Sequence, residues 1–258
     1  VITGLGAVTP IGNDVESMWA ALLAGQSGAG PITRFDTTEF STKIACEVTD
    51  FDGRELLGKK EARRYDRFAQ FGVVAALEAM AHSGLDGPPP GVTPDRFGVI
   101  FGSGIGGIST MEAQHDIIRE RGPSRVSPFF IPMFIPDIAA GLISIRFGAR
   151  GPNYATVSAC ASSSHAIGDA FRFIERGDAD IMIAGGAEAT LTPLAVAGFA
   201  SMKALSTRNQ DPKGASRPFD AGRDGFVIGE GAGCLVIEAL ETATARGATI
   251  VAELIGYG

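Results

Sequence analysis

The sequence predicts an α/β protein whose mostly parallel sheet is covered by helices on both faces. Three observations carry this. Segments of strand pattern alternate with segments of helical pattern along the chain. Several of the strand segments, such as Phe97 to Phe101 and Asp180 to Ala184, are nearly apolar throughout, as a strand buried on both faces must be. Thirty-five glycines and fourteen prolines suit tight turns between strands and helices better than they suit a helical bundle.

Each element has its own signal. Val1 to Gly6 is the end of a buried strand followed by a turn, and it starts in mid-element. Asn13 or Asp14 caps a helix through Trp19 to Ala24, which Gly25 ends. Short strands are expected around Lys43 to Val48. From Glu61 to His82, apolar residues at Tyr65, Phe68, Val73, Ala76 and Met80 keep a helical rhythm up to Gly84. Phe97 to Phe101 is a strand that flows through Gly102–Gly107 into a helix ending near Glu120, and Pro136 to Phe147 is helical up to Gly148. Tyr154 to Ala159 reads as a strand ending at Cys160, and Ala161 to Arg176 as the helix after it, with Gly177 at its end. Strands at Asp180 to Ala184 and Gly233 to Glu238, a helix near Glu241 to Arg246 and a final strand from Ile250 to Gly256 complete the pattern.

Composition narrows the function. A length of 258 residues with 45% hydrophobic and 20% charged content is ordinary for a soluble protein with its own core. A net charge of −7 argues against general nucleic-acid binding. The greasiest stretch, Phe129 to Ile145, is broken by Pro132, Pro136, Asp137 and Gly141 and is too short to span a membrane. Cys46, Cys160 and Cys234 are widely spaced, with no metal-ligand spacing to His82, His115 or His165, and read as reduced cytosolic thiols. No metal site is expected.

Cys160 is the sharpest chemical candidate. A strand running into Val157-Ser158-Ala159-Cys160-Ala161-Ser162-Ser163-Ser164 and then a helix places the thiol at a helix amino terminus, where free N–H groups favour a thiolate. A packed structural cysteine fits the same residues, and the local pattern leaves both readings open. Cys46 and Cys234 lie inside strand-like segments and read as structural. His165 is the nearest candidate base, but five helical residues turn a side chain by about 140° and raise it roughly 7.5 Å, away from Cys160.

Gly102-Ser103-Gly104-Ile105-Gly106-Gly107 matches the dinucleotide pattern G-x-G-x-x-G, but Glu120, where the partner acid would fall, sits in a charged helix end. These glycines are expected to let backbone pass close to a ligand or a neighbouring element. Lys59, Lys60, Arg63, Arg64 and Arg67 fall on one helical face, with Arg125 and Lys203 as candidates to extend it; a solvated face and a docking patch for an acidic partner both fit. The polar glycine loops Asp220–Phe226 and Gly229–Gly233 read as turns whose charged residues partner one another.

Taken together, the segments resemble the β-ketoacyl-acyl-carrier-protein synthases, most closely the type II elongating enzymes. The resemblance covers essentially the whole chain. It runs through Val1–Gly6, Gly102–Gly107, Ser127-Pro128-Phe129-Phe130-Ile131-Pro132, Ala159-Cys160-Ala161, Ala184-Gly185-Gly186-Ala187-Glu188, Ala204–Asn209 and Arg223–Val227. It implies a thiolase-like fold, with residues 1–248 as the first βαβαβαββ half with insertions and 249–258 as the opening strand of the second. It implies that Cys160 takes an acyl group from acyl carrier protein and that malonyl carrier protein extends it by decarboxylative Claisen condensation, with no redox cofactor. Ile105 then matches the floor of the acyl pocket, Phe130 a residue lining the partner subunit's pocket in a homodimer, and Phe199 a pocket-side aromatic. Lys60, Arg63, Arg64, Arg125 and Lys203 match the carrier-protein docking surface, which turns the basic stripe from a solvated face into a binding one. The family's two catalytic histidines, lysine and phenylalanine gate match positions after Gly258, so the isolated chain is expected not to condense. A polyketide ketosynthase is the alternative on the same fold. A chain-length-factor partner without the cysteine fits less well, a thiolase lacks the Leu205–Asn209 stretch, and a nicotinamide enzyme is the unrelated option.

Overall fold

The computed structural model describes residues 1–258. The strands are β1 (Ile2–Val8), β2 (Ala29–Pro31), β3 (Ile44–Cys46), β4 (Phe97–Gly102), β5 (Asn153–Tyr154), β6 (Ile181–Glu188) and β7 (Gly231–Glu238). The helices are α1 (Val15–Leu23), α2 (Gly53–Leu56), α3 (Lys59–Ala62), α4 (Arg67–Ser83), α5 (Ile108–Arg121), α6 (Phe130–Phe134), α7 (Ile138–Phe147), α8 (Ser162–Glu175), α9 (Pro193–Ser201) and α10 (Leu240–Ala245).

Five strands form one sheet in the order β1-β7-β6-β4-β5, and β2 and β3 form a separate hairpin-like pair. The sheet is mixed, which corrects the mostly parallel expectation. β4 pairs in parallel with β5 and β6, while β7 runs antiparallel to both β1 and β6. Helices do cover both faces. Side chains alternate across a strand, so Ile181 and Ile183 join Phe97, Val99 and Phe101 in a core under α4 and α7. Met182, Ala184 and Ile100 face the other way, into a smaller core with Ala166 and Ala170 of α8. On α4, Phe68 and Phe71 are fully buried, and each contributes about 1.5–3 kcal/mol relative to an exposed side chain.

Helix ends follow their local signals. Asp14 caps α1 by accepting the Ser17 N–H, and Gly84 and Gly148 close α4 and α7 in the left-handed region. The helix expected from Glu61 instead breaks. The short α3 ends at Ala62, and α4 starts at Arg67 after Asp66, whose carboxylate accepts the Phe68 N–H. Asp66 is buried and also takes the Ser109 and Thr110 hydroxyls and the Thr110 N–H, tying the start of α4 to the start of α5.

Two strand expectations are corrected as well. The segment before Cys160 is in the sheet only at Asn153–Tyr154; residues 155–158 leave it to build the turn that carries the cysteine. The expected strand from Ile250 is a single bridge, in which Ile2 donates to Ala252 O and Val251 donates to Ile2 O. β1 is the sheet edge, and this segment meets it at one residue. No helix is long and apolar enough to cross a membrane.

Candidate active site

β7 opposes its neighbours, so the carboxyl ends of β1, β4 and β6 and the amino end of β7 meet on one side of the sheet. There they surround a cleft of about 620 Å³. Cys160, Ile105, Phe199, Phe226, Glu188 and Glu230 line it, and no histidine does. Ligand sites favour this position because strand ends and helix starts leave backbone groups free.

The turn bearing Cys160 is built by its own neighbours. Ala159–Ala161 is a 3₁₀ turn leading directly into α8. Ala159 has φ of +52°, a left-handed conformation costing an alanine about 1–2 kcal/mol. Hydrogen bonds to the first turn of α8 hold it. The Ser158 N–H donates to Ser162 Oγ at 2.9 Å, Ser162 Oγ donates to the Ala159 carbonyl at 2.7 Å, and Thr156 Oγ1 donates to the Ser162 carbonyl at 2.6 Å. His165 takes part as an anchor: its Nδ1 lies 2.5 Å from Ser158 Oγ, two residues ahead of the cysteine. The result is an exposed thiol at the start of a fourteen-residue helix with no side-chain cap. The other cysteines differ. Cys234 is buried in β7 and Cys46 half-buried in β3, and burial pushes both thiols up, away from reactivity.

Gly102–Gly107 packs against the protein itself. A Cβ on Gly102 would lie 2.6 Å from the Ser162 carbonyl carbon, and one on Gly107 would lie 2.2 Å from the Met133 carbonyl oxygen. The glycines let the loop pass close to α8 and α6. The loop thereby carries Ile105 to the cleft.

Glu188 and Glu230 are site residues whose roles the sequence left unread. Glu188, at the end of β6, takes hydrogen bonds from Ser103 Oγ, Gly104 N and Ile105 N; burial nonetheless pushes its carboxyl above the usual range. Glu230, buried, pairs with Arg67 and Arg34 and accepts the Val48 N–H. Its partners are therefore on other elements, which corrects the expectation of charge pairing within the glycine loops. Asp224 likewise accepts from Ser206 Oγ and the Thr207 N–H, although Arg223 does donate to the Asp220 carbonyl.

The remaining predicted residues lie outside the cleft wall. Phe130 is half-buried on α6, its ring 5.9 Å from that of Phe134. Lys60, Arg63, Arg64, Arg125 and Lys203 are all exposed. The Arg64 guanidinium stacks 4.6 Å over the Phe129 ring, bringing the 63–64 pair to the segment that holds Arg125. Arg67 does not belong with them. It turns inward to Glu230 and lies 4.5 Å over the Phe71 ring, so the single basic helical face is corrected to a broken one.

The sequence family described as "Beta-ketoacyl synthase, N-terminal domain" matches residues 1–243. The chain belongs to the β-ketoacyl synthase family. This family member is 55% identical over 258 residues to a 3-oxoacyl-[acyl-carrier-protein] synthase 2 of Staphylococcus aureus, covering all of this chain and 63% of that one. It is 52% identical over 257 residues to the protein of the same name from Synechocystis, covering 61% of it. Among solved structures, a β-ketoacyl synthase from Burkholderia phymatum superposes with a TM-score of 0.86 at 36% identity, over 96% of this chain and 61% of that one. A type II polyketide ketosynthase in complex with its acyl-carrier protein gives 0.83 at 31% identity, over 96% of this chain and 60% of that one. This β-ketoacyl synthase chain thus spans a little over three fifths of the length of the relatives it matches. Its sheet order and helix cover are those of an N-terminal ketoacyl-synthase half.

Proposed function

We propose that the chain is the nucleophile-bearing portion of a 3-oxoacyl-[acyl-carrier-protein] synthase of fatty-acid elongation. The observation that carries this reading is the exposed Cys160 thiol, held on a strained turn at the start of α8 and opening on the cleft that Ile105 and Phe199 line. The 55% identity to 3-oxoacyl-[acyl-carrier-protein] synthase 2 supports it.

In this reading Cys160 Sγ attacks the thioester carbonyl of an acyl carrier protein and the carrier thiol leaves. Malonyl carrier protein then loses carbon dioxide, and its carbanion attacks the Cys160 thioester. The carbon–sulfur bond breaks and releases a β-ketoacyl chain two carbons longer. The α8 terminus favours the thiolate, and the Cys160 N–H is one donor to the oxyanion. Ile105 forms the floor of the acyl site, Phe199 flanks the cysteine, and Phe130 faces the pocket of a partner in a homodimer. Lys60, Arg63, Arg64, Arg125 and Lys203 dock the acidic carrier in the cytosol. Residues 1–248 form the first half of the fold and 249–258 open the second, which supplies the histidines that the cleft wall lacks. The 258-residue chain alone therefore gives no multiple-turnover condensation.

The test is acyl loading in the parent protein. Incubation with acyl carrier protein should add one acyl mass at Cys160, iodoacetamide should block it, and Cys160→Ser should lower β-ketoacyl formation at least about a thousandfold. Product formation undiminished in Cys160→Ser refutes the reading. A polyketide ketosynthase is the second reading, supported by the likeness to the type II ketosynthase complex. Release of a single two-carbon extension product, and no chain of successive ketides, separates the two.

A further inference from the structure

The loop that brings Ile105 to the cleft is tethered at both ends. Before it, β4 holds Gly102 in the sheet, and the Ser103 N–H donates to the Thr156 carbonyl at 3.3 Å. After it, the Gly107 N–H donates to the Phe134 carbonyl at 3.0 Å. Between these points the backbone N–H groups of Gly104 and Ile105 have one acceptor, the Glu188 carboxylate, with Oε2 at 2.7 and 3.2 Å. Its Oε1 takes the Ser103 hydroxyl at 3.2 Å, and Ser103 Oγ in turn accepts the Gly106 N–H at 3.1 Å. A Cβ on Gly104 would stand 2.9 Å from Glu188 Oε2 and 3.5 Å from Ala159 Cα, so the loop is clamped between this carboxylate and the turn before Cys160.

We propose that Glu188 is a positioning residue for substrate length, a latch whose hydrogen bonds to residues 103–105 fix Ile105 at the floor of the cleft and so set the acyl chains that fit. The inference rests on the reading of the cleft as an acyl site. A carboxylate suits the task because one oxygen can accept two adjacent N–H groups while the other accepts the hydroxyl. Glu188 does not touch the reacting carbonyl in this scheme. It acts through Ile105.

The parent protein, with Glu188→Ala, Glu188→Gln and Ser103→Ala variants, provides the test. The readout is the ratio of kcat/KM for the longest to the shortest accepted acyl carrier protein, with the rate of iodoacetamide alkylation of Cys160 as a check on the nucleophile. Glu188→Ala frees Ile105 and should raise the ratio at least about fivefold, within what added methylene contacts can discriminate. Alkylation should stay within about twofold, since the Ser158–Ser162 bonds hold the cysteine turn independently. Glu188→Gln keeps an oxygen for the two N–H groups and an amide for Ser103 Oγ, and should restore most of the wild-type ratio. Ser103→Ala should move it in the same direction as Glu188→Ala by less, and it decides the matter if Glu188→Ala does not fold. An unchanged length ratio in Ser103→Ala and in any folded Glu188→Ala overturns the latch while leaving the acyl-transfer reading intact. Wild-type protein that never acylates Cys160 overturns both.

Discussion

Arg67→Ala separates the structure from the sequence most sharply. By pattern Arg67 is one of five basic residues on an exposed stripe, whose removal should change stability by no more than about 0.5 kcal/mol. In the structure its Nε and Nη2 grip the buried Glu230 carboxylate at 3.1 and 3.0 Å, and Nη2 also donates to the Val48 carbonyl at 2.8 Å. The guanidinium lies 4.5 Å over Phe71 and 5.6 Å over Phe51. Truncation leaves Glu230 with Arg34 at 3.3 Å and the Val48 N–H at 3.0 Å. Breaking a buried pair costs about 3–5 kcal/mol, and the remaining partners place this case near the lower end, about 3 kcal/mol. In a parent protein of the relatives' length, of which this chain is 63%, that lowers Tm by roughly 3–4 °C. Scanning calorimetry of the parent protein, with Arg63→Ala as the exposed control, measures it. Adding Glu230→Gln to Arg67→Ala should recover part of the loss, because the buried carboxylate charge is then gone while Arg34, its remaining partner, is partly open to solvent. A Tm within about 1 °C of wild type refutes the inward pairing.

Ile105→Phe should lower kcat/KM for the longest acyl substrates by at least about tenfold and spare the shortest, as steady-state assays with a series of acyl carriers would show. Reversing Lys60, Arg63 and Arg64 to Glu should slow association with the acidic carrier about tenfold at low salt, by stopped-flow, with the difference fading as salt rises and thermal stability little changed. Burial raises the Glu188 carboxyl above its ordinary 4.5 in the folded protein. Folding then binds a proton that the unfolded chain lacks, so stability falls as pH rises from that value through the raised folded pKa. Glu188→Gln should flatten that part of the curve of Tm against pH and leave the part below it unchanged.

What could be read from the residues in order was whatever short-range chemistry decides. Helix ends at Asp14, Gly84, Gly148 and Gly177 follow from capping and left-handed glycines, which involve only the adjacent turn. The placement of Cys160 at a helix start and the structural nature of Cys46 and Cys234 were equally visible, and the family likeness emerged from the same motifs. Tertiary structure decided what depends on distant partners. β7 reads the same in either direction, and its antiparallel course follows from lying between β1 and β6. Residues 155–158 have strand propensity but are drawn out of the sheet by the bonds that build the Cys160 turn. Arg67 shares the basic spacing of its neighbours, yet the break at Asp66 aims it inward, where a buried carboxylate 163 residues away awaits a counter-charge. Glu188 likewise sits in a recognisable motif, but its work is visible only when β6 ends beside the loop from β4, because sequence spacing carries no information about which backbone N–H groups a carboxylate will meet.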